Sequence, residues 1–257
     1  MLMKQLSLAI MCKTNKNIRI VMVHTTHPGN IGAVARVMKN MCLSELYLVK
    51  PRVFPSEEAI ARSSGAVELL ENAVVCETLQ EALADCSLVV GTSAREREVN
   101  WPVYNPHECA GLMIEASKSN SVALLLGRES SGLTNEELDL CQYLVHIPSN
   151  PEYSSLNVAM AAQVLAYEIL MVSQTDKETL PLAEELPHLS SQQMSNFHEH
   201  LRQTLLDIGF SDERRSEKLM LRLKRFFFRA NPDEDEMNIL RGILSAAQGR
   251  KSMRGKN

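Results

Sequence analysis

Residues 122 to 165, VALLLGRESSGLTNEELDLCQYLVHIPSNPEYSSLNVAMAAQVL, switch between two hydrophobic periods, and this limits what the chain can fold into. Val122 to Leu126 is a short apolar run bounded by Ser121 and Gly127, as expected of a buried strand. Tyr143 to Ile147 is a second such run, stopped by Pro148. From Leu156 the spacing of Val158, Ala162, Leu165 and Ile169 becomes helical, and Ser154 or Ser155 is placed to cap that helix. The stretch therefore reads as strand, glycine loop, short helix, strand, long loop, helix. Ligands of open α/β sheets bind at the carboxyl ends of the strands, where these two loops lie.

The chain upstream repeats the alternation. Strands are expected over Ile18–Val23, Glu45–Val49, Val74–Val75 and Ser87–Val90, the last ending in Gly91-Thr92-Ser93. Helices are expected from Asn30, as N-cap, to about Asn40, and over Ser56–Ala61, Ala66–Leu70, Thr78–Ala84 and Asn105–Ser117. Ile31, Val34 and Val37 or Met38 would face inward from the first of them, and Thr78 with Glu81 has the spacing of a capping box. Strands alternating with helices imply an α/β fold with a mainly parallel sheet covered on both faces.

Residues 173–190 are polar, contain two prolines and read as a linker. Three helical patterns follow. Met194, Phe197, Leu201, Leu205 and Ile208 line one that Gly209 would end. Leu219, Leu223, Phe226 and Phe227 line the second. The third starts at Asn231-Pro232 with acids in its first turn, and Leu240, Ile243 and Leu244 form its apolar face. The expected organisation is an N-terminal extension over 1–17, an α/β domain over 18–172, the linker over 173–190, and a small helical domain over 191–257.

Composition narrows the classes. The 257 residues are 45% apolar and 23% charged with a net charge of −4, normal for a soluble globular protein. A generally basic nucleic-acid binder is not indicated, and any contact with nucleic acid must rest on local patches. Seven Lys or Arg against the single acid Glu217 between Arg214 and Arg229, followed by Arg250, Lys251, Arg254 and Lys256, make such a patch. Arg222, Lys224 and Arg225 are its central candidates; the bland reading is a solvated helix face. The six cysteines (12, 42, 76, 86, 109, 141) include no CxxC pair, which suits reduced thiols in the cytoplasm. No run reaches the length of a membrane span, and the first 17 residues read as an extension rather than a targeting signal.

Several alternatives fall on spacing. Gly29-Asn-Ile-Gly32 lacks a dinucleotide-binding pattern. Gly127 to Gly132 has Walker spacing, but Leu133-Thr134 stands where the phosphate-binding lysine is needed. His24 and His27 lack neighbouring Cys, Asp or Glu, so no metal site is expected. Trp101 and Tyr104 read as packing residues on a proline-bearing loop, with RNA contact as the functional alternative.

The motifs carry a resemblance. Asn30-Ile-Gly32-Ala-Val-Ala-Arg36, Gly127-Arg-Glu129-Ser-Ser-Gly132-Leu133, and Ile147-Pro148 with Ser155-Leu156-Asn157-Val-Ala resemble, in order, the three motifs of the SpoU group of SPOUT RNA methyltransferases. The NPEYSSLN loop is most similar to the TrmJ subfamily, which methylates the ribose 2′-OH of nucleotide 32 in tRNA. The resemblance implies a trefoil knot threaded by residues 127–160, a homodimer, S-adenosyl-L-methionine as cofactor and tRNA as substrate. It implies cofactor contacts at Thr92, Ser93, Gly127, Arg128, Glu129, Ile147, Pro148, Ser155 and Leu156, and catalytic roles for Asn30, Arg36, Glu129, Ser155 and Asn157.

Read from the residues alone, Gly127-Arg128-Glu129 is either a sharp turn with a surface ion pair or a loop that lets a ligand approach the backbone. Glu129 would organise the loop by accepting backbone N–H groups or would meet the positive cofactor. Asn157 would be an early polar helix residue or a directional hydrogen bonder. Arg36, always charged and planar, suits holding a target phosphate and ribose better than accepting a proton. The other readings are an rRNA 2′-O-methylase of the same group and a non-catalytic RNA-binding protein on the same fold.

Overall fold

A computed structural model describes residues 15–94, 102–174, 189–230 and 232–249. It divides into two compact units, 1–184 and 185–257.

In the first unit β1 (Ile18–Val23), β2 (Glu45–Val49), β3 (Val74–Cys76), β4 (Cys86–Thr92), β5 (Val103–Tyr104), β6 (Ser121–Leu126) and β7 (Tyr143–Val145) form one sheet in the order β3-β2-β1-β6-β4-β7-β5. Every pairing is parallel. The connecting helices are α1 (Pro28–Asn40), α2 (Glu57–Ser63), α3 (Val67–Glu71), α4 (Leu79–Leu83), α5 (Pro106–Ser117), α6 (Asn135–Leu138) and α7 (Val158–Gln174).

The central strands are buried on both faces, which is why they read as nearly continuous apolar runs. On one face Val21, Val23, Val89, Ala123 and Leu125 pack with Leu79, Leu83 and Leu138 of α4 and α6. On the other, α1 and α5 pack against α7, and α2 packs on α1. Gly32 allows that last approach: a Cβ there would lie 2.0 Å from the Ala59 carbonyl oxygen.

β1 also holds a charge that the apolar pattern hid. Arg19 is only 6% exposed. It donates from both terminal nitrogens to Asp85, at 2.8 and 3.0 Å, and lies 3.9 Å over the Tyr47 ring. A buried guanidinium needs such partners to offset lost hydration.

Several expected boundaries move. The first-motif helix begins at Pro28 after His27, so Asn30 lies inside its first turn and is not the cap. The long helix begins at Val158, and neither Ser154 nor Ser155 caps it; Asn157 Oδ1 accepts from Ala159 N at 2.9 Å. Tyr104 belongs to the two-residue edge strand β5 and packs edge-on against Tyr143. Trp101 lies outside the described residues.

The second unit contains α8 (Ser191–Asp207), α9 (Glu213–Ala230) and α10 (Glu234–Ala247). Met194, Phe197, Leu201, Met220 and Met237 are its buried centre. Gly209, at φ 70°, ends α8 as expected. Ile208, Phe226 and Ile243 do not face the core but are 47%, 54% and 59% exposed. On α9, Met220 takes the central place and Phe227 packs edge-on against Phe197. The N-cap of α10 is Asp233, in a capping box with Glu236, so Pro232 precedes the cap instead of opening the helix. Of the expected linker, 175–188 lies outside the described residues; Ser173 and Gln174 end α7, and Leu189 belongs to the second unit's core. The tail from 250 onward also lies outside.

No helix of the described residues is long and apolar enough to cross a membrane.

Candidate active site

The loops after β4, β6 and β7 leave the same end of the sheet and surround a cavity of about 220 Å³. Thr92, Ser93, Gly127, Arg128, Glu129, Ile147, Ser155 and Leu156 all line it, as do Leu126, Val145 and Val158. Pro148 does not line it. The walls combine aliphatic side chains with the hydroxyls of Thr92, Ser93, Ser130, Ser131, Ser154 and Ser155.

Each loop is fixed locally. Arg128 and Gly132 exchange backbone hydrogen bonds of 3.1 and 2.9 Å, and Gly132 turns the chain at φ 69°. A Cβ on Gly127 would lie 2.3 Å from the Gly132 carbonyl carbon, so the loop can fold this tightly only over a glycine. The Arg128 guanidinium is held by both carboxylate oxygens of Glu137, at 2.8 and 2.9 Å. Glu137 belongs to a capping box with Thr134 that starts α6. Thus the turn carries an ion pair and also lines the cavity, so the two readings of this motif are not exclusive. Thr92 Oγ1 donates to the Leu125 carbonyl at 2.8 Å, and Ser93 N donates to Val145 O at 3.1 Å.

Glu129 joins this rim to the first motif. His24, in the left-handed region at φ 51°, turns the chain out of β1. Thr26 then donates to Glu129 Oε2 from its N–H at 3.2 Å and its hydroxyl at 2.9 Å. His27 N donates to Oε1 at 3.3 Å, and Asn30 Nδ2 to the same oxygen at 3.0 Å. Partial burial alone would raise the Glu129 pKa, but these donors outweigh it and hold the carboxyl near 2. It is therefore ionised at neutral pH.

The network continues. Asn157 Nδ2 donates to Asn30 Oδ1 at 3.2 Å, while Asn157 Oδ1 takes the Ala159 N–H. Its direction is fixed by its ends. A carboxylate only accepts and a backbone N–H only donates, so each amide has one consistent orientation. One chain of hydrogen bonds thus ties the start of α7, the first turn of α1 and the loop after β6.

Arg36 stands apart. It is exposed, does not line the cavity, and has no hydrogen-bond or ion-pair partner among the described residues. Arg222 of the second unit is likewise exposed and without such a partner, while Lys224 and Arg225 are half-buried. The unanticipated contributors are Thr26 and Glu137. The Thr134–Glu137 spacing was a readable capping signal; the Thr26 contact, between residues 103 apart, had none.

The arrangement defines a methylase of the SpoU type: the SpoU rRNA Methylase family model matches residues 17–167. A second model, the tRNA methyltransferase TrmJ C-terminal domain, matches residues 192–257. With both models matched in this order, the chain belongs to the TrmJ family.

Relatives agree along nearly the whole length. The chain is 49% identical over 242 residues to the tRNA (cytidine/uridine/adenosine-2′-O-)-methyltransferase TrmJ of Pseudomonas aeruginosa, covering 90% of this chain and 93% of that one. It is 49% identical over 235 residues to the tRNA (cytidine/uridine-2′-O-)-methyltransferase TrmJ of Salmonella choleraesuis, covering 91% and 97%. Among solved structures, TrmJ from Z. mobilis ZM4 superposes with a TM-score of 0.76 at 32% identity, covering 89% of this chain and 97% of that one. A probable methylase from Haemophilus influenzae gives 0.61 at 40% identity, covering 91% and 97%.

Proposed function

We propose that the protein transfers a methyl group from S-adenosyl-L-methionine to the ribose 2′-OH of cytidine or uridine at nucleotide 32 of tRNA, in the cytoplasm and as a homodimer. The observation that carries this reading is the cavity at the carboxyl ends of β4, β6 and β7, tied by Glu129 to the first-motif helix. The substrate names of the relatives support it.

The cavity suits the cofactor's chemistry. Aliphatic walls at Leu126, Val145, Ile147 and Leu156 fit an adenine ring, and the serine and threonine hydroxyls fit its ribose and amino-acid end. When bound, the cofactor supplies a positively charged sulfonium that gives up its methyl to an attacking oxygen.

The chain's own residues then orient the reactants. Glu129 is occupied by four donors and its carboxyl lies near 2, so it is a positioning group and a poor proton acceptor. Arg36 is suited to clamp the target phosphate and ribose, its charge being unpaired among the described residues. Because it lies away from its own cavity, it would serve the partner's. An exposed stripe on α7, Met160, Val164, Tyr167 and Met171, supports pairing of two copies. The implied trefoil knot belongs to the same proposal, with the loops over 127–160 as its threaded segment.

The test is incubation of the protein with labelled S-adenosylmethionine and total RNA, followed by mapping of the methylated nucleotide. Label at nucleotide 32 of tRNA is expected; because one relative's name also includes adenosine, all four bases are scored there. Label in rRNA alone, or none, overturns the reading.

A further inference from the structure

A phenylalanine stands at one edge of the most basic face of α9, more than half exposed. On an α-helix, residues 218, 222, 225, 226 and 229 fall within an arc of about 100°. In α9 these are Lys218, Arg222, Arg225, Phe226 and Arg229. Lys218, Arg222 and Arg229 are exposed and have no ion-pair partner among the described residues. Glu217 falls on the opposite side of the helix from Phe226, about 180° away. Phe227, the next residue, packs into the unit's core against Phe197.

Phe226 is 54% exposed. Its ring lies 5.2 Å from that of Phe227 at an interplanar angle of 79°, so a partly buried neighbour that packs on the core holds it edge to face. Beyond this contact with Phe227, more than half of the apolar residue stays in water beside exposed cations. It does match what a single-stranded nucleic acid presents, which is phosphate charge with a flat base between.

We infer that Phe226 is a stacking platform for an unpaired tRNA base, with Lys218, Arg222 and Arg229 holding the flanking phosphates. A ring fixed in advance loses little freedom when a base lands on it, and stacking tolerates any base because each has a flat face. The inference rests on the tRNA reading above and adds a named contact to it.

The test uses the full-length protein, unmodified tRNA, and a duplex RNA of similar length. Phe226→Leu and Phe226→Ala are expected to weaken tRNA binding about tenfold. The salt dependence should stay as in wild type, since no charge is removed. Phe226→Tyr and Phe226→Trp should bind like wild type, and duplex binding should be unchanged in all four. tRNA should also quench the added emission of Phe226→Trp relative to wild type, whose only tryptophan is Trp101. If the leucine variant lost structure, this quenching and the tyrosine variant would still decide the matter.

Wild-type tRNA affinity in the leucine and alanine variants, without quenching in the tryptophan variant, overturns the stacking role while leaving the function standing. Equal weakening for tRNA and duplex also overturns it. So does a change in self-association with tRNA binding intact, which would reassign the ring to a protein contact. Wild-type protein that binds no tRNA at all would instead bring down the underlying reading.

Discussion

Glu129 ties three segments of the site together through hydrogen bonds to its carboxylate alone. Its carboxyl near 2, against an ordinary 4.5, makes folding more favourable wherever the carboxylate is ionised in both states. The sign follows: the contribution is full above about pH 5 and is lost as pH falls from 4.5 towards 2. Glu129→Gln should therefore be less stable than wild type at pH 7, and the gap should close through that window. Denaturant midpoints at a series of pH values measure it; a gap independent of pH would show that the charge is not what Thr26, His27 and Asn30 recognise. Arg36 predicts the opposite pattern. It is exposed and unpartnered among the described residues, so Arg36→Ala should keep its melting temperature and cofactor binding. Turnover should fall by about a hundredfold or more, the scale of losing one preorganised charge-stabilising group. Arg36→Lys should not restore it. Single-turnover methylation of tRNA reads the outcome, and unchanged turnover in the alanine variant would remove Arg36 from the mechanism. At this scale the sequence named the residues but not their partners. Asn157 was legible as a directional hydrogen bonder, yet its bond to Asn30 spans 127 residues and leaves no local pattern.

Elements were more legible than contacts. The apolar runs found the strands from β1 to β4 and β6 to β7; the central ones are buried on both faces and so must be apolar along their length, whereas the β-branched pair Val74-Val75 marked the edge strand β3 although both are exposed. β5 was missed because two residues, Val103 and Tyr104, are too few to show a period. Caps followed the same logic. Thr78 and Glu81 form the capping box that their spacing announced. Asn157 was obscured by two serines just ahead of it that could equally have capped. On α9, three consecutive phenylalanines hid which of them face inward; packing places Phe227 against Phe197 and Phe228 against His198, and leaves Phe226 exposed. The close crossing of α1 over α2 yields a prediction at this scale. Gly32→Ala must push the α2 backbone away, because the nearest atoms belong to the Ala59 main chain and cannot rotate aside. We expect a loss of about 1–3 kcal/mol in unfolding free energy, the usual cost of overpacking. Turnover should fall as well, since Asn30 lies half a turn away on the same helix. Thermal denaturation and the methylation assay check both, and a fully stable Gly32→Ala would mean that the helices slide apart without strain.

At the scale of the whole molecule, the two units make separable predictions. Each has its own apolar centre. Deleting residues 191–257 should leave a folded first unit that binds S-adenosylmethionine by calorimetry. Its tRNA affinity should drop, and the slope of log affinity against log salt should flatten as phosphate contacts disappear. An unchanged slope would make the α9 face merely solvated. A shared site across two copies is tested by mixing Arg36→Ala subunits with Glu129→Ala subunits, both expected to be inactive alone. Heterodimers should regain one working site; no recovery in verified heterodimers would place the arginine in its own subunit's site. The overall architecture, α/β with a helical appendage, was readable because composition, period and linker prolines all act locally.

The long reach of the pairings sets an order of events during synthesis. β6 sits at the middle of the sheet, yet its partner Ile18 of β1 precedes Val122 by more than a hundred residues. A growing chain can finish β1, β2 and β3 early, but the centre stays unfilled until the sixth strand has left the ribosome. The hydrogen-bond line through Glu129, Asn30 and Asn157 closes later still, once the start of α7 has emerged. Non-local pairings of this kind form slowly. A truncated product ending before residue 157 would carry the first motif and the glycine loop, already joined through Glu129 and Asn30, but would lack Asn157, which fastens the start of α7 to them.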